Sequence, residues 1–354
     1  MGRFLSCRDI VMRRLCSFIL LLIIVTGVVL FAGCLAKDDP LVRAHAIAEP
    51  YRFPFVSWEC KALLDLGIKA WNRNESAVES ELSVHIESVV REQGITVFPP
   101  PVVSLEPPPH LLIISPRDKI EYRDRLLLRQ TMNVEDMESL ERQIDALGFS
   151  SLVEPLGGFG GTFPPIVSSD ATMRYIVNAA VEEWLHQYLA FKPLGFGYVL
   201  DSLGIRRDAD LVTMNETAAG IISDEIGAEV YRKYYSNAAT VQEKKKDTGG
   251  FDFDTVMSET RRQVDIYLAQ GDIEKAEAYM EERRKLFVQN GYHIRKLNQA
   301  YFAFHGIYGQ DPSSVSPVAR DIERLRERTG STKDFLDIVS VMTGYEDLKR
   351  KLNE

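Results

Sequence analysis

Cysteine is scarce in this chain, and its copies are placed where they can do little for the body of the protein. Cys7 and Cys16 lie near the start, Cys34 closes a small-residue stretch, and Cys60 stands alone beyond them. No Cys-rich metal site is available, and if Cys34 is acylated no intramolecular disulfide remains for the mature domain. Positive charge is short as well. Setting aside residues 1–33, with Arg3, Arg8, Arg13, Arg14 and Asp9, leaves 38 basic and 50 acidic side chains, a formal charge of −12. Nucleic acid and anionic lipid surfaces both require a basic footprint, so no nucleic-acid partner is expected. A phosphate loop is missing too, because no Lys-Ser or Lys-Thr follows the glycines at 157–161.

Long hydrophobic runs are likewise rare, with one exception. Leu15–Ala36 is a charge-free run of 22 residues preceded by four arginines. It is long enough to cross a bilayer, with the positive charge on the side that stays cytoplasmic. Phe31-Ala32-Gly33-Cys34 also approximates the small-residue-then-Cys box of bacterial lipoproteins, with Phe31 where an aliphatic residue is usual. A single-pass anchor and lipid attachment at Cys34 therefore stand as alternatives. Both tether the chain to the cell membrane and place its bulk outside the cytoplasm.

The organisation expected from this is a signal or transmembrane anchor at 1–36, a polar tether at 37–56 and helices with a small sheet at 57–169. A helical part at 170–354 follows. About 315 residues beyond the leader suffice for one large domain or two small ones with a well-buried core. Ser57–Gln93 has helical spacing, broken near Asn72-Arg73-Asn74 and stopped by Gly94. Ile95–Val103 and His110–Ser115 read as strands, with Pro99-Pro100-Pro101 and Pro107-Pro108-Pro109 favouring edges or connections, and Tyr122–Arg129 reads as a further strand with a helix as the alternative. Val134–Leu147 reads as a helix. Gly157, Gly158, Gly160 and Gly161 permit close backbone approach, either as a plain loop or as an edge segment lining a cleft and pairing with an extended peptide. Lys244–Lys246 with Gly249 and Gly250 reads as a solvated loop. The rest is helical, with a hairpin turning at Ala269–Ala276 and two tail helices over Val318–Glu354 broken at Gly330-Ser331-Thr332. The fold class is α+β, mostly helical with a small N-terminal sheet.

What the chain does contain is a concentrated cluster of metal-ligating side chains. Val177, Val181, Trp184, Leu185, Tyr188 and Leu189 recur at helical spacing. On that helix Glu182 and His186, four residues apart, share a face, with Glu183 turned by about 100° to one side. This is the geometry of His-Glu-x-x-His, in which two ligands hold a metal and the Glu between them is the general base. Here the first ligand is Glu. The alternative is an ordinary helix carrying surface charges.

Together with Asn215-Glu216-Thr217-Ala218-Ala219 some thirty residues on, the stretch resembles the paired helices of gluzincin metallopeptidases. Their third ligand is a Glu on a second helix, often within Asn-Glu-x-x-Ala. The likeness covers roughly residues 170–235, and a weaker similarity to bacterial predicted aminopeptidases continues into Leu297-Asn298-Gln299-Ala300-Tyr301. The resemblance implies a zincin-like fold with Glu182, His186 and Glu216 as metal ligands and Glu183 as catalytic base. It also implies Zn²⁺ as cofactor, peptides or proteins as substrate, and hydrolysis as the reaction. Glu182 in place of His adds negative charge, so a bound water should be less acidified, and the harder ligand set admits Mn²⁺ or Fe²⁺.

Peptide hydrolysis also needs a donor beside the metal. Over Leu297–Tyr308 the residues Asn298, Tyr301, His305 and Tyr308 form one polar stripe, opposite Leu297, Ala300, Phe304 and Ile307. Tyr301 and His305 are the candidate catalytic donors if that stripe faces the cleft. Asp224 is a weaker candidate for orienting His186. A carboxylate-bridged diiron centre using Glu183-x-x-His186, Glu216 and Glu225 is a rival, but the second Glu-x-x-His it requires is absent. A non-catalytic, membrane-anchored helical scaffold with a degenerate metal site is the other alternative.

Overall fold

The computed structural model describes residues 39–72, 77–236, 251–308 and 311–354. The expected anchor at 1–36 with Cys34, the break after Asn72 and the Lys244–Gly250 loop lie outside the described residues. The chain divides into two compact units, Met1–Pro50 and Tyr51–Glu354. In the first, part of the expected tether is helical. Helix α1 (Pro40–Ala48) opens on Pro40 and is capped by Asp39, whose carboxylate accepts the Leu41 N–H at 2.8 Å.

The second unit is mostly helical with two small sheets. Helices α2 (Phe55–Asn72) and α3 (Ala77–Glu92) come first, and then the first strand, β1 (Ser104–Leu105). Ile95–Val103 forms no strand, contrary to expectation. Pro99, Pro100 and Pro101 have no N–H to donate to a ladder. The segment is fixed instead by side-chain burial and by the indole of Trp184, which donates to the Pro99 carbonyl at 2.8 Å.

The larger sheet follows. Strand β2 (His110–Pro116) lies between β3 (Asp124–Leu128) and β4 (Phe149–Pro155), antiparallel to both, with Leu112 opposite Leu126 and Val153. Its near-continuous apolar sequence suits a central strand covered on both faces. The outer edge of β3 is met by Tyr51–Phe53, where Phe53 N–H donates to Leu127 O and Arg129 N–H to Tyr51 O. Helix α4 (Val134–Asp145), capped by Asn133, packs against β4. The second sheet is minimal. Strand β5 (Gly158–Phe159) pairs antiparallel with β6 (Ile166–Val167), which pairs parallel with β1. One expected sheet is thus two, and the minimal one lies against the helix that carries Glu182 and His186.

That helix is α5 (Met173–Ala190), followed by α6 (Pro193–Ser202) and α7 (Ala209–Val230). Fifteen of the 22 residues of α7 are buried, among them Asn215, Glu216 and Thr217. Most of its surface is covered because α3, α5 and α6 pack around it together with the three tail helices, α11 (Pro317–Glu327), α12 (Thr332–Ser340) and α13 (Tyr345–Asn353), which leaves a narrow open face at Asp224 and Ala228. Where α5 crosses α7, a Cβ on Gly227 would meet Asn178 Oδ1 at 2.2 Å, so only glycine allows that approach. The tail holds three helices where two were expected. Its second break, near Thr343 and Gly344, was hidden by continuing helical spacing. Between these parts, α8 (Phe253–Ala269) and α9 (Ile273–Gln289) form the expected hairpin over a core of Met257, Val264, Met280 and Phe287. The short α10 (Gln299–His305), capped by Asn298, lays Ala300 and Phe304 on Leu111, Ile113 and Leu152 of the larger sheet. Among the described residues no helix is long and apolar enough to cross a membrane.

Candidate metal centre

Helix α5 presents Glu182 and His186 one turn apart, and α7 brings Glu216 against them. One ligand atom from each of the three lies within 4.8 Å of the others, and His186 Nε2 is 3.6 Å from Glu216 Oε2. Donors about 2 Å from a shared ion stand 3–4 Å apart, so this cluster fits a metal after a small inward movement. The histidine is prepared for the role. Its Nδ1 donates to Asn215 Oδ1 at 2.9 Å, which leaves Nε2 bare and aimed at Glu216. Glu216 is positioned in turn by Tyr198 of α6, whose hydroxyl donates to Oε1 at 2.8 Å while its ring stacks on His186.

The electrostatics are those of three crowded carboxylates beside one imidazole. Burial pushes the Glu182 carboxyl up to about 7, with Glu216 and Asp224 adding to the rise and His186 opposing it. Burial likewise raises Glu183 to about 8, against the attraction of His186 and a hydrogen bond from the Gly160 N–H. For His186, burial works downward, but Glu216, Glu183 and Glu182 outweigh it and raise the imidazole. Such a set of mutually shifted groups marks a place where a divalent ion would relieve repulsion.

The Gly-rich segment is part of this site. Ideal Cβ atoms on Gly158 and Gly160 would approach the Glu183 carboxylate to 2.3 Å and 2.7 Å. The two glycines therefore let the backbone close over Glu183. Gln187, one position after His186, clamps the segment by donating to Gly160 O at 3.2 Å and Thr162 O at 2.5 Å.

The remaining expected residues fall into other places. Tyr301 stacks near His305, with ring centroids 4.1 Å apart, and its hydroxyl is raised by burial and by Asp311 and Glu154. His305 Nδ1 pairs with Asp311 at 3.3 Å. The member of that stripe in the field of the triad is Tyr308. Burial raises its hydroxyl well above the usual range, with Glu216 and Glu182 contributing. Tyr122 is similarly raised by burial and by Glu216, and its buried hydroxyl has no partner among the described residues. Asp224 accepts from Asn178 at 3.0 Å, so the partner that orients His186 is Asn215. Glu225 is taken by Arg326, at 2.7 Å and 3.1 Å, and by Thr332, which removes it from any diiron arrangement.

Asn215 sits inside the recognised motif, so its nearness to Glu216 was visible. Tyr308 was legible as the last member of the polar stripe over Leu297–Tyr308, whereas Tyr198 had no such signal, because it does not follow from helix spacing around Glu182, His186 and Glu216. No protein-family model matches the chain, and neither a curated protein nor a solved structure matches it.

Proposed function

We propose that this is a membrane-tethered, extracytoplasmic metal-dependent hydrolase of peptides, zincin-like in fold, with Glu182, His186 and Glu216 as ligands of Zn²⁺. The observation that carries the reading is the convergence of the three donor atoms with Glu183 on the next position of the same helix. A divalent ion held there would polarise both a water molecule and a substrate carbonyl. Burial raises the Glu183 carboxyl to about 8 without a metal; the field of a bound cation would ionise it, so that it could take the proton of the attacking water and return it to the leaving amine. Asn215 fixes the tautomer and direction of His186, and Tyr198 fixes Glu216. Tyr308 and Tyr122 offer hydroxyl donors for the oxygen that becomes negative as the carbonyl is attacked. Mn²⁺ or Fe²⁺ suits the same oxygen-rich set.

The closure of Gly158 and Gly160 over Glu183 supports the second reading, a tethered scaffold that keeps the metal site without turnover. Metal analysis of the purified protein and cleavage of a peptide library separate the two. Glu183→Gln is expected to retain one equivalent of metal and abolish cleavage, while Glu182→Ala loses the metal. Equal zinc affinity in wild type and Glu182→Ala would remove Glu182 from the ligand set.

A further inference from the structure

Among the described side chains of helix α2, those that touch the body lie on one side. Phe163 N–H donates to the Glu59 carboxylate, 3.2 Å from each oxygen, and Phe53 bridges the Trp58 ring at 6.1 Å and the Phe159 ring at 6.3 Å. The opposite side is apolar and open. Val56 is 74% exposed, Leu64 67% and Leu63 49%, whereas Phe55 turns towards the attached side with its ring 6.4 Å from that of Phe53. Val56, exposed Cys60 and Leu64 are spaced four residues apart, and Leu63 lies seven after Val56, so they form one stripe along the helix. Large aliphatic side chains gathered this way on one helix face mark an interaction surface rather than scattered exposure.

We infer that α2 is an interfacial helix whose Val56–Leu64 stripe lies in the headgroup and upper acyl region of the bilayer. The inference rests on the tethered reading given above. Three observations choose lipid as the occupant. The apolar run Leu15–Ala36 ends only 18 residues before Phe55, which at full extension is at most about 60 Å of chain, so α2 is held near the membrane that the run enters. As a helix that run is about 33 Å long, matching a hydrocarbon core of about 30 Å. It is far longer than the stripe of about 13 Å from Val56 to Leu64, so folding back on α2 would leave most of it in water. Finally, the acidic balance of the chain removes attraction to anionic lipid, so the contact is apolar and belongs on a neutral surface.

Cys60 lies within the stripe and gives a direct test. The full chain carrying Cys7→Ser, Cys16→Ser and Cys34→Ser, which leaves the apolar run in place, is spin-labelled at Cys60 and reconstituted into phosphatidylcholine vesicles. Flotation reports the tether, and collision of the label with oxygen and with a water-soluble nickel complex reports its surroundings. The expected result is flotation with high oxygen and low nickel accessibility, at a depth of about 5–10 Å. Leu63→Ser with Leu64→Ser should return the label to water while the chain still floats. A label on Glu327→Cys, with Cys60→Ser, serves as the exposed reference. A floating chain whose Cys60 label meets nickel as freely as the reference overturns the inference and leaves the tether standing. Low accessibility to both reagents, the mark of a covering protein surface such as a second copy, also overturns it. Failure to float removes the tether and the inference together.

Discussion

Asn215 does more for the site than its polar side chain would suggest. By accepting from His186 Nδ1 it dictates which ring nitrogen is bare, and with Tyr198 behind Glu216 it fixes two of the three donors from outside the ligand set. Partners of this kind are worth about 10–100-fold in metal affinity. Asn215→Ala should therefore weaken zinc binding by about that factor, measured by competition with a chromophoric chelator, with the helical circular dichroism unchanged. Asn215→Asp should restore it, because a carboxylate also accepts from Nδ1 and raises the basicity of the ring. Equal affinity in all three proteins would mean that His186 is oriented by its own helix alone. At this scale the sequence singled out Glu182, His186 and Glu216, which the fold brings together, and was uninformative about the residues that support them. Spacing places residues on a shared face of one helix, and a motif links two helices. A hydrogen bond from Tyr198 arises only when α6 folds across both.

At the scale of elements, the Gly-rich segment and α5 act as one unit. Gly158→Ala would put a methyl 2.3 Å from a Glu183 oxygen, so the segment or the carboxylate must shift. Overpacking of this kind costs about 1–3 kcal/mol. Chemical denaturation should show that loss, while zinc affinity, which depends on the triad and not on Glu183, stays near the wild-type value. Another element pair rests on a buried charge. Glu141 of α4 receives both Arg295 nitrogens, at 2.6 Å and 2.9 Å, together with the Val153 N–H of β4 at 2.7 Å. Glu141→Ala leaves the Val153 N–H without its acceptor and the partly exposed guanidinium of Arg295 with the Val153 carbonyl, and should cost about 1–3 kcal/mol in the same denaturation experiment. The helices were legible because their apolar spacing, caps and glycine stops agree, as at Asn133 and Asn298. The small sheet at β1, β5 and β6 was not. Two-residue strands carry no alternation to read, and the prolines at 99–101 imitate strand punctuation without supplying a ladder.

For the molecule as a whole, the packed carboxylates make stability depend on pH in a direction opposite to that of paired surface acids. An ordinary glutamate has its carboxyl at 4.5, whereas burial raises Glu182 to about 7 and Glu183 to about 8. Between 4.5 and about 8 the folded chain therefore holds more protons at these groups than the unfolded chain. Stability from them is fully present below 4.5 and is lost as pH climbs through 7 and 8. The raised imidazole of His186 works in the same sense. Metal-free protein should then melt at a lower temperature at pH 8 than at pH 5, by differential scanning calorimetry, and Glu183→Gln should flatten part of that slope. Zinc should reverse the trend, because the ion competes with the protons and binds the ionised carboxylates that pH 8 supplies. At a hundredfold excess over its dissociation constant it adds about 2.7 kcal/mol to the folded state. A metal-free melting temperature that rises from pH 5 to pH 8, with no effect of Glu183→Gln, would mean that solvent reaches Glu182 and Glu183 freely. The crowding on which the metal reading depends would then be absent.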